Sequence, residues 1–236
     1  MKTILSKSLR RSSVFAVLLV LASLTRVTAQ SLISNTDQPV FGLVPTVYAG
    51  QWVAAPFKTG ADPARLDSIT LYEWTFTELP AGTFSVSLWG DHNGRPGAVL
   101  AGGGLSGPSV PLGAAFQSYT SAAGISLAAN TEYWVVASSD VADYSEAYNW
   151  GTASTTSFSS PFGWQFFDHY GSTSDHGTTW VVTEGTDYGN NFGPQLLAIS
   201  GAIVPEPSSW ALLALGTSIT VFRSNRKGKF GRLFLS

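Results

Sequence analysis

Between residues 30 and 204, apolar and polar side chains alternate with a period of two, in runs of five to eleven residues broken by Gly, Pro, Asn and Asp. No stretch there sustains the i, i+3, i+4, i+7 spacing of an amphipathic helix, so the pattern commits this part of the chain to strands. Residues 83–89 (TFSVSLW) point Phe84, Val86 and Leu88 one way and Trp89 the other. Residues 66–76 (LDSITLYEWTF) set Ile69 and Leu71 against Tyr72, Trp74 and Phe76, and residues 131–138 (TEYWVVAS) set Tyr133, Val135 and Ala137 against Trp134 and Val136. Further strands are predicted at 51–57, 116–120, 164–170, 178–183 and 195–200. Eight or nine short strands joined by turns favour an all-β fold, a single jelly-roll-like antiparallel β-sandwich over about residues 31–202. A signal helix is expected before it and a hydrophobic helix after it.

Charge divides the chain at the same places. Residues 1–29 carry five bases and no acid, and residues 205–236 carry five bases and one acid, Glu206. The middle has only Lys58, Arg65 and Arg95 against 14 acids, a net of −11. Nucleic acid is excluded as a partner of that acidic middle, because phosphate binding needs clustered Lys and Arg. The absence of cysteine excludes disulfides, thiolate metal sites and a Cys nucleophile.

Residues 1–29 have the build of a secretory signal peptide. A basic stretch is followed by an 11-residue apolar run at 14–24 (VFAVLLVLASL), then by Val27, Thr28 and Ala29, with cleavage expected after Ala29 to leave Gln30 as the new N-terminus. The alternative, an uncleaved anchor helix, calls for about 20 apolar residues. At the other end Pro205-Glu206-Pro207 precedes an apolar run at 210–222 (WALLALGTSITVF) and the basic residues Arg223, Arg226, Lys227 and Lys229. The proline pair keeps the backbone extended and accessible. The basic cluster resists translocation and stays on the cytoplasmic side.

These three features in order resemble the PEP-CTERM sorting signal of Gram-negative bacteria that make extracellular polysaccharide. The resemblance covers about 25 residues and rests on Pro205, Glu206, Pro207, Arg223, Arg226 and Lys227. It implies recognition by a membrane-embedded exosortase, transient residence in the inner membrane through the C-terminal helix, and delivery to the cell surface or extracellular matrix. Residues 230–236 (FGRLFLS) run on past the basic cluster, a departure from that pattern. An ordinary single-span tail anchor is the alternative. A second resemblance is carried by residues 69–76, by 84–89, by Asp91-x-Asn93-Gly94-x-Pro96-Gly97, and by 127–136 (LAANTEYWVV). It is similar to the choice-of-anchor exported domains of the R type, jelly-roll-like sandwiches that precede interchangeable sorting tails, and it implies no catalytic residue.

Candidate chemistry within the sandwich is sparse. His92, His169 and His176 match no zinc-ligand spacing and are read as turn or loop residues. No Gly-x-Ser-x-Gly elbow is present. Asp91, Asn93 and Asp187 are candidate Ca²⁺ ligands on Gly-rich loops, with ordinary turn chemistry as the simpler reading. No other cofactor is expected. Aromatic residues concentrate at 144–192, where 12 of 49 positions are Phe, Trp or Tyr. Rings beside Asp and Asn suit a sugar, whose C–H face stacks on a ring while its hydroxyls take polar partners. Trp150, Trp164, Phe167, Tyr170 and Trp180 are therefore the candidate glycan-binding residues, core packing being the alternative use of the same rings. The expected function is that of an exported, non-enzymatic surface or matrix protein that binds polysaccharide. A self-associating envelope component without ligand, or a hydrolase acting on matrix polymer, are the other readings.

Overall fold

The structure is a computed structural model that describes residues 29–41, 45–75, 77, 82–184 and 194–204. The expected signal helix and the whole sorting tail, with Pro205, Glu206, Pro207, Arg223, Arg226 and Lys227, lie outside the described residues, as does Asp187. Among the described residues no helix is long and apolar enough to cross a membrane.

The chain is all-β, and its two antiparallel sheets form a sandwich. Sheet I contains β1 (Gln30–Ser34), β3 (Thr46–Val47), β5 (Ala64–Thr75), β8 (Ala115–Leu127), β10 (Tyr148–Trp150) and β15 (Leu197–Ile203). Its order is β1-β15-β5-β10-β3, with β8 on the other flank of β5. Sheet II contains β4 (Trp52–Lys58), β6 (Phe84–Asp91), β7 (Pro96–Leu105), β9 (Glu132–Ser139), β12 (Gln165–Phe166), β13 (His169–Thr173) and β14 (Val181–Glu184). Its order is β14-β13-β4-β9-β6-β7, and β12 also pairs with β4. A short ribbon joins β2 (Val40–Phe41) to β11 (Thr152–Ala153). Successive strands switch sheets repeatedly, as in a jelly roll. Among the described residues the helical content is one 3-10 turn at Tyr144–Glu146.

The alternation places the inner faces where the sequence puts them. Val86 and Leu88 of β6 and Tyr133, Val135 and Ala137 of β9 enter the main core, which also takes Leu66, Ile69 and Leu71 of β5. The inward phase of β5 resets between Leu66 and Ile69, where Leu66 and Ser68, two steps apart, pair with the adjacent Gly201 and Ser200 of β15. A bulge of this kind sets two residues against one and turns the following side chains over. Phe57 of β4 stacks on Trp164 with centroids 5.7 Å apart. Asn35, fully buried, receives a hydrogen bond from the Leu197 amide at 2.8 Å and donates to the Gln195 carbonyl at 2.9 Å. This pair ties the first strand to the last, which run antiparallel with Gln30 opposite Gly201.

The sheets differ in what covers them. In β4, five consecutive residues from Val53 to Phe57 are buried, and in β9 the five from Tyr133 to Ala137, so the two central strands of sheet II are covered on both faces. In β5 burial alternates strictly from Ile69 to Thr75, so sheet I is covered on its inner face alone along this stretch.

Several predicted boundaries move; the strand expected at 178–183 begins at Val181 as β14, and the one expected at 195–200 runs from Leu197 to Ile203 as β15. The strand expected at 164–170 divides at a bend around Asp168 into β12 and β13. The strand at 116–120 extends to β8, and the Gly-rich run Pro96–Leu105, for which no strand is predicted, forms the edge strand β7.

Candidate functional site

The outer face of sheet I carries a partly exposed row of rings. Tyr72 and Phe116 stand directly opposite each other on β5 and β8. Their centroids are 4.9 Å apart, and Trp74, two residues along β5, lies 5.9 Å from Tyr72. Phe116 is 45% exposed, and Tyr72 and Trp74 are half-buried. The planes are inclined at 55° and 64°, so the rings form steps rather than a flat strip. Edge-to-face contacts of this kind hold the rings in place. Gly151 makes room for the row, since a Cβ there would come within 2.6 Å of the Tyr72 ring. Next to the rings, the Thr70 and Ser118 hydroxyls share a hydrogen bond of 2.8 Å and face solvent. On the far side of Trp74 sits Asn149 of β10, its cross-strand neighbour, buried, with Thr46 Oγ1 at 3.5 Å from its Oδ1. Exposed ring faces beside neutral hydroxyls can stack an apolar sugar face and exchange hydrogen bonds with its rim.

Behind the row, on the inner side of β5 between Tyr72 and Trp74, lies Glu73. Its side chain is fully buried, and the Tyr119 hydroxyl donates a hydrogen bond to Oε1. Among the described residues Oε2 has no hydrogen-bond partner. Burial pushes the Glu73 carboxyl up to about 8, against a smaller lowering from Tyr119, and burial and the neighbouring carboxyl push the Tyr119 hydroxyl up as well. The protonated acid therefore belongs to the interior at neutral pH. Solvent does not reach it, so it holds β5 and β8 together rather than meeting a substrate.

The outer face of sheet II is also aromatic but sealed. Trp134 and Trp180 are buried there with Ala54 and Val136, flanked by half-buried Trp52, Trp89 and Val182. Each indole N–H has a partner within the protein. Trp134 donates to Asp91 Oδ1 at 2.9 Å, Trp89 to Ser87 Oγ at 2.8 Å, Trp180 to the Gly177 carbonyl at 3.1 Å and Trp52 to the Ser139 carbonyl at 3.3 Å. A strap of residues 173–180 lies over Trp52 and Trp89 and contributes Trp180 at its end. Asp175 organises it by accepting from Thr173 Oγ1 at 2.6 Å, Thr179 Oγ1 at 2.5 Å and the Thr179 amide at 2.8 Å. Those donors hold its carboxyl down to about 2. Gly177, with φ +86°, brings the strap so close that a Cβ would lie 3.0 Å from the Trp89 ring. His176 meets Trp52 edge-on at 5.5 Å. This face works as a second small core.

The five rings singled out by aromatic density do not form one surface, which corrects that expectation. Trp150 is fully buried, with its N–H donating to the Leu196 carbonyl at 3.1 Å, and Trp164 is buried against Phe57. Tyr170 packs against the main core. Trp180 ends the strap and is buried against Trp89, and Phe167 is half-buried beside His169, their rings 5.3 Å apart. The reason is local. Trp150 shares the inward phase of Tyr148, and the bend at Asp168 sends Tyr170 back to the core side. Tyr72, Trp74 and Phe116 were missed as a site because density in a window counts core rings and surface rings alike. The available signal was the outward phase of Tyr72 and Trp74 opposite Ile69 and Leu71.

Of the remaining candidates, Asp91 has Oδ1 engaged by Trp134 and Oδ2 accepting from the Gly94 amide at 3.2 Å. Asn93 sits exposed in the same turn with φ +56°. Among the described residues no group of three or more His, Asp or Glu side chains is placed to hold a metal ion. His92 lies exposed in the turn closed by the hydrogen bond that its amide donates to the Arg95 carbonyl at 2.8 Å. Ala29 and Gln30 are both exposed at the start of β1. In comparisons with known proteins, no family model matches this chain and no curated protein matches it.

Proposed function

We propose that this chain is an exported, non-enzymatic protein of the Gram-negative cell surface or matrix, delivered by an exosortase-type system, whose sandwich binds extracellular polysaccharide. The leader at 1–29 and the tail at 204–229 support the route. The observation that carries the binding reading is the partly exposed pair Tyr72 and Phe116, opposed across β5 and β8 beside the Thr70 and Ser118 hydroxyls. Core demands do not explain these rings, because the inner side of the same strands is filled by Ile69, Leu71, Glu73 and Tyr119.

Two experiments test the two halves. A polysaccharide pull-down comparing the wild-type protein with the Tyr72→Ala, Phe116→Ala double variant should show retention lost in the variant while its unfolding midpoint stays within the usual range for surface changes. Equal retention would remove the binding reading. Deletion of residues 205–236 should change both the mature mass and the final location of the protein. An unchanged deposit in the same place would remove the sorting reading.

A further inference from the structure

The charge class of the polymer can be narrowed from the placement of ionic groups. Residues 30–204 contain three Lys and Arg residues, Lys58, Arg65 and Arg95, and none is available to the ring row. Lys58 ends β4 in the opposite sheet, where it stands opposite Glu132. Arg95 lies in the turn between β6 and β7, also of sheet II. Arg65 is on β5 but seven residues before Tyr72, about 20 Å along the strand, and it is bonded to Asp67 at 2.9 Å. The polar groups that border the rings are the uncharged Thr70, Ser118, Thr46 and Asn149. Among the described residues, a carboxylate- or sulfate-bearing polymer would meet no cation at this face. It would also approach a segment of net charge −11, which repels it over roughly a Debye length of 10 Å at moderate salt.

Resting on the proposed polysaccharide binding, we infer that the polymer held by Tyr72, Trp74 and Phe116 is uncharged, and that uronate- and sulfate-bearing polymers are excluded from the row. The contact is then apolar stacking with hydroxyl hydrogen bonds, and its strength does not depend on salt.

The test retains the full-length protein on immobilised neutral glucans, mannans and galactans and, in parallel, on a polyuronate, each at low and high salt. The readout is the part of retention removed by the Tyr72→Ala, Phe116→Ala double substitution, which subtracts any contribution from the basic chain ends. Row-dependent binding to at least one neutral polymer should exceed that to polyuronate by about tenfold or more and stay constant with salt. Row-dependent binding to polyuronate that equals or exceeds the neutral polymers, and weakens with salt, overturns the inference while polysaccharide binding stands. Absence of row-dependent binding to every polymer overturns the binding reading and this inference with it.

Discussion

Replacing Glu73 with Gln isolates the energetic consequence of a carboxyl buried behind the ring row. Glu73 titrates at about 8 in the folded chain against an ordinary value of 4.5. The folded state therefore keeps a proton that the unfolded chain releases above about 4.5. With the folded pKa raised, stability falls as pH rises from about 4.5 and levels off above about 8. At about 1.4 kcal/mol per unit, the full loss is about 5 kcal/mol, of which about 3 kcal/mol has accrued by pH 7. The Gln variant carries no titrating proton at this position. Its amide oxygen can still accept from Tyr119, while its N–H groups replace an oxygen without a partner among the described residues, at a pH-independent cost of about 1–3 kcal/mol. Urea unfolding at pH 4.5, 6 and 8 reads the difference between the two proteins. The variant is expected to be the less stable at pH 4.5 and the more stable at pH 8, with unchanged dependence on urea. Parallel pH curves for the two proteins would show that Glu73 does not retain its proton in the fold, and the argument from burial would fail. Asp140, Asp143 and Asp175 do not confuse this window, because hydrogen bonds hold their carboxyls below the ordinary range.

Four further outcomes follow from packing and charge. Gly151→Ala places a Cβ 2.6 Å from the Tyr72 ring, so it should displace that ring and lower polysaccharide retention about tenfold, as measured by pull-down; unchanged retention would show that the ring position is not what binds. Asp175→Ala removes the acceptor for three donors of the strap, so tryptophan emission should shift red and acrylamide quenching should rise, with a wild-type spectrum counting against the strap as a seal. Acid should reproduce this change in the wild type as pH falls through about 2, since the depressed carboxyl contributes above its ordinary value of 3.8 and loses that contribution on protonation. Phe57→Ala empties the partner of Trp164 and should cost about 3–5 kcal/mol in urea unfolding, and a loss below 1 kcal/mol would mean that the site collapses around the gap.

Much of the fold was legible because a strand's side-chain period is independent of its neighbours. The inward sets Val86 and Leu88, Tyr133, Val135 and Ala137, and Ile69 and Leu71 follow from alternation alone. The bend at Asp168 and the register shift after Leu66 were not legible, because each depends on pairing with a strand distant in sequence. The edge strand β7 was hidden for a related reason. Its run Pro96–Leu105 holds four glycines and no strict alternation, and it is a strand because β6 supplies the hydrogen-bonding partner.

Alternation decided by itself that Trp134 and Trp89 point away from the interior of sheet II, and that Tyr72 and Trp74 point away from the interior of sheet I. It did not decide which of these outward faces meets water. That depended on residues 173–180 closing over Trp52 and Trp89 from the far end of the chain, with Asp175 fixing the strap, while Tyr72 and Phe116 stayed partly exposed. Period two is a property of the local backbone, whereas exposure is a property of whatever else the chain brings to the surface. The first could be written down residue by residue, and the second existed only once the sheets were assembled.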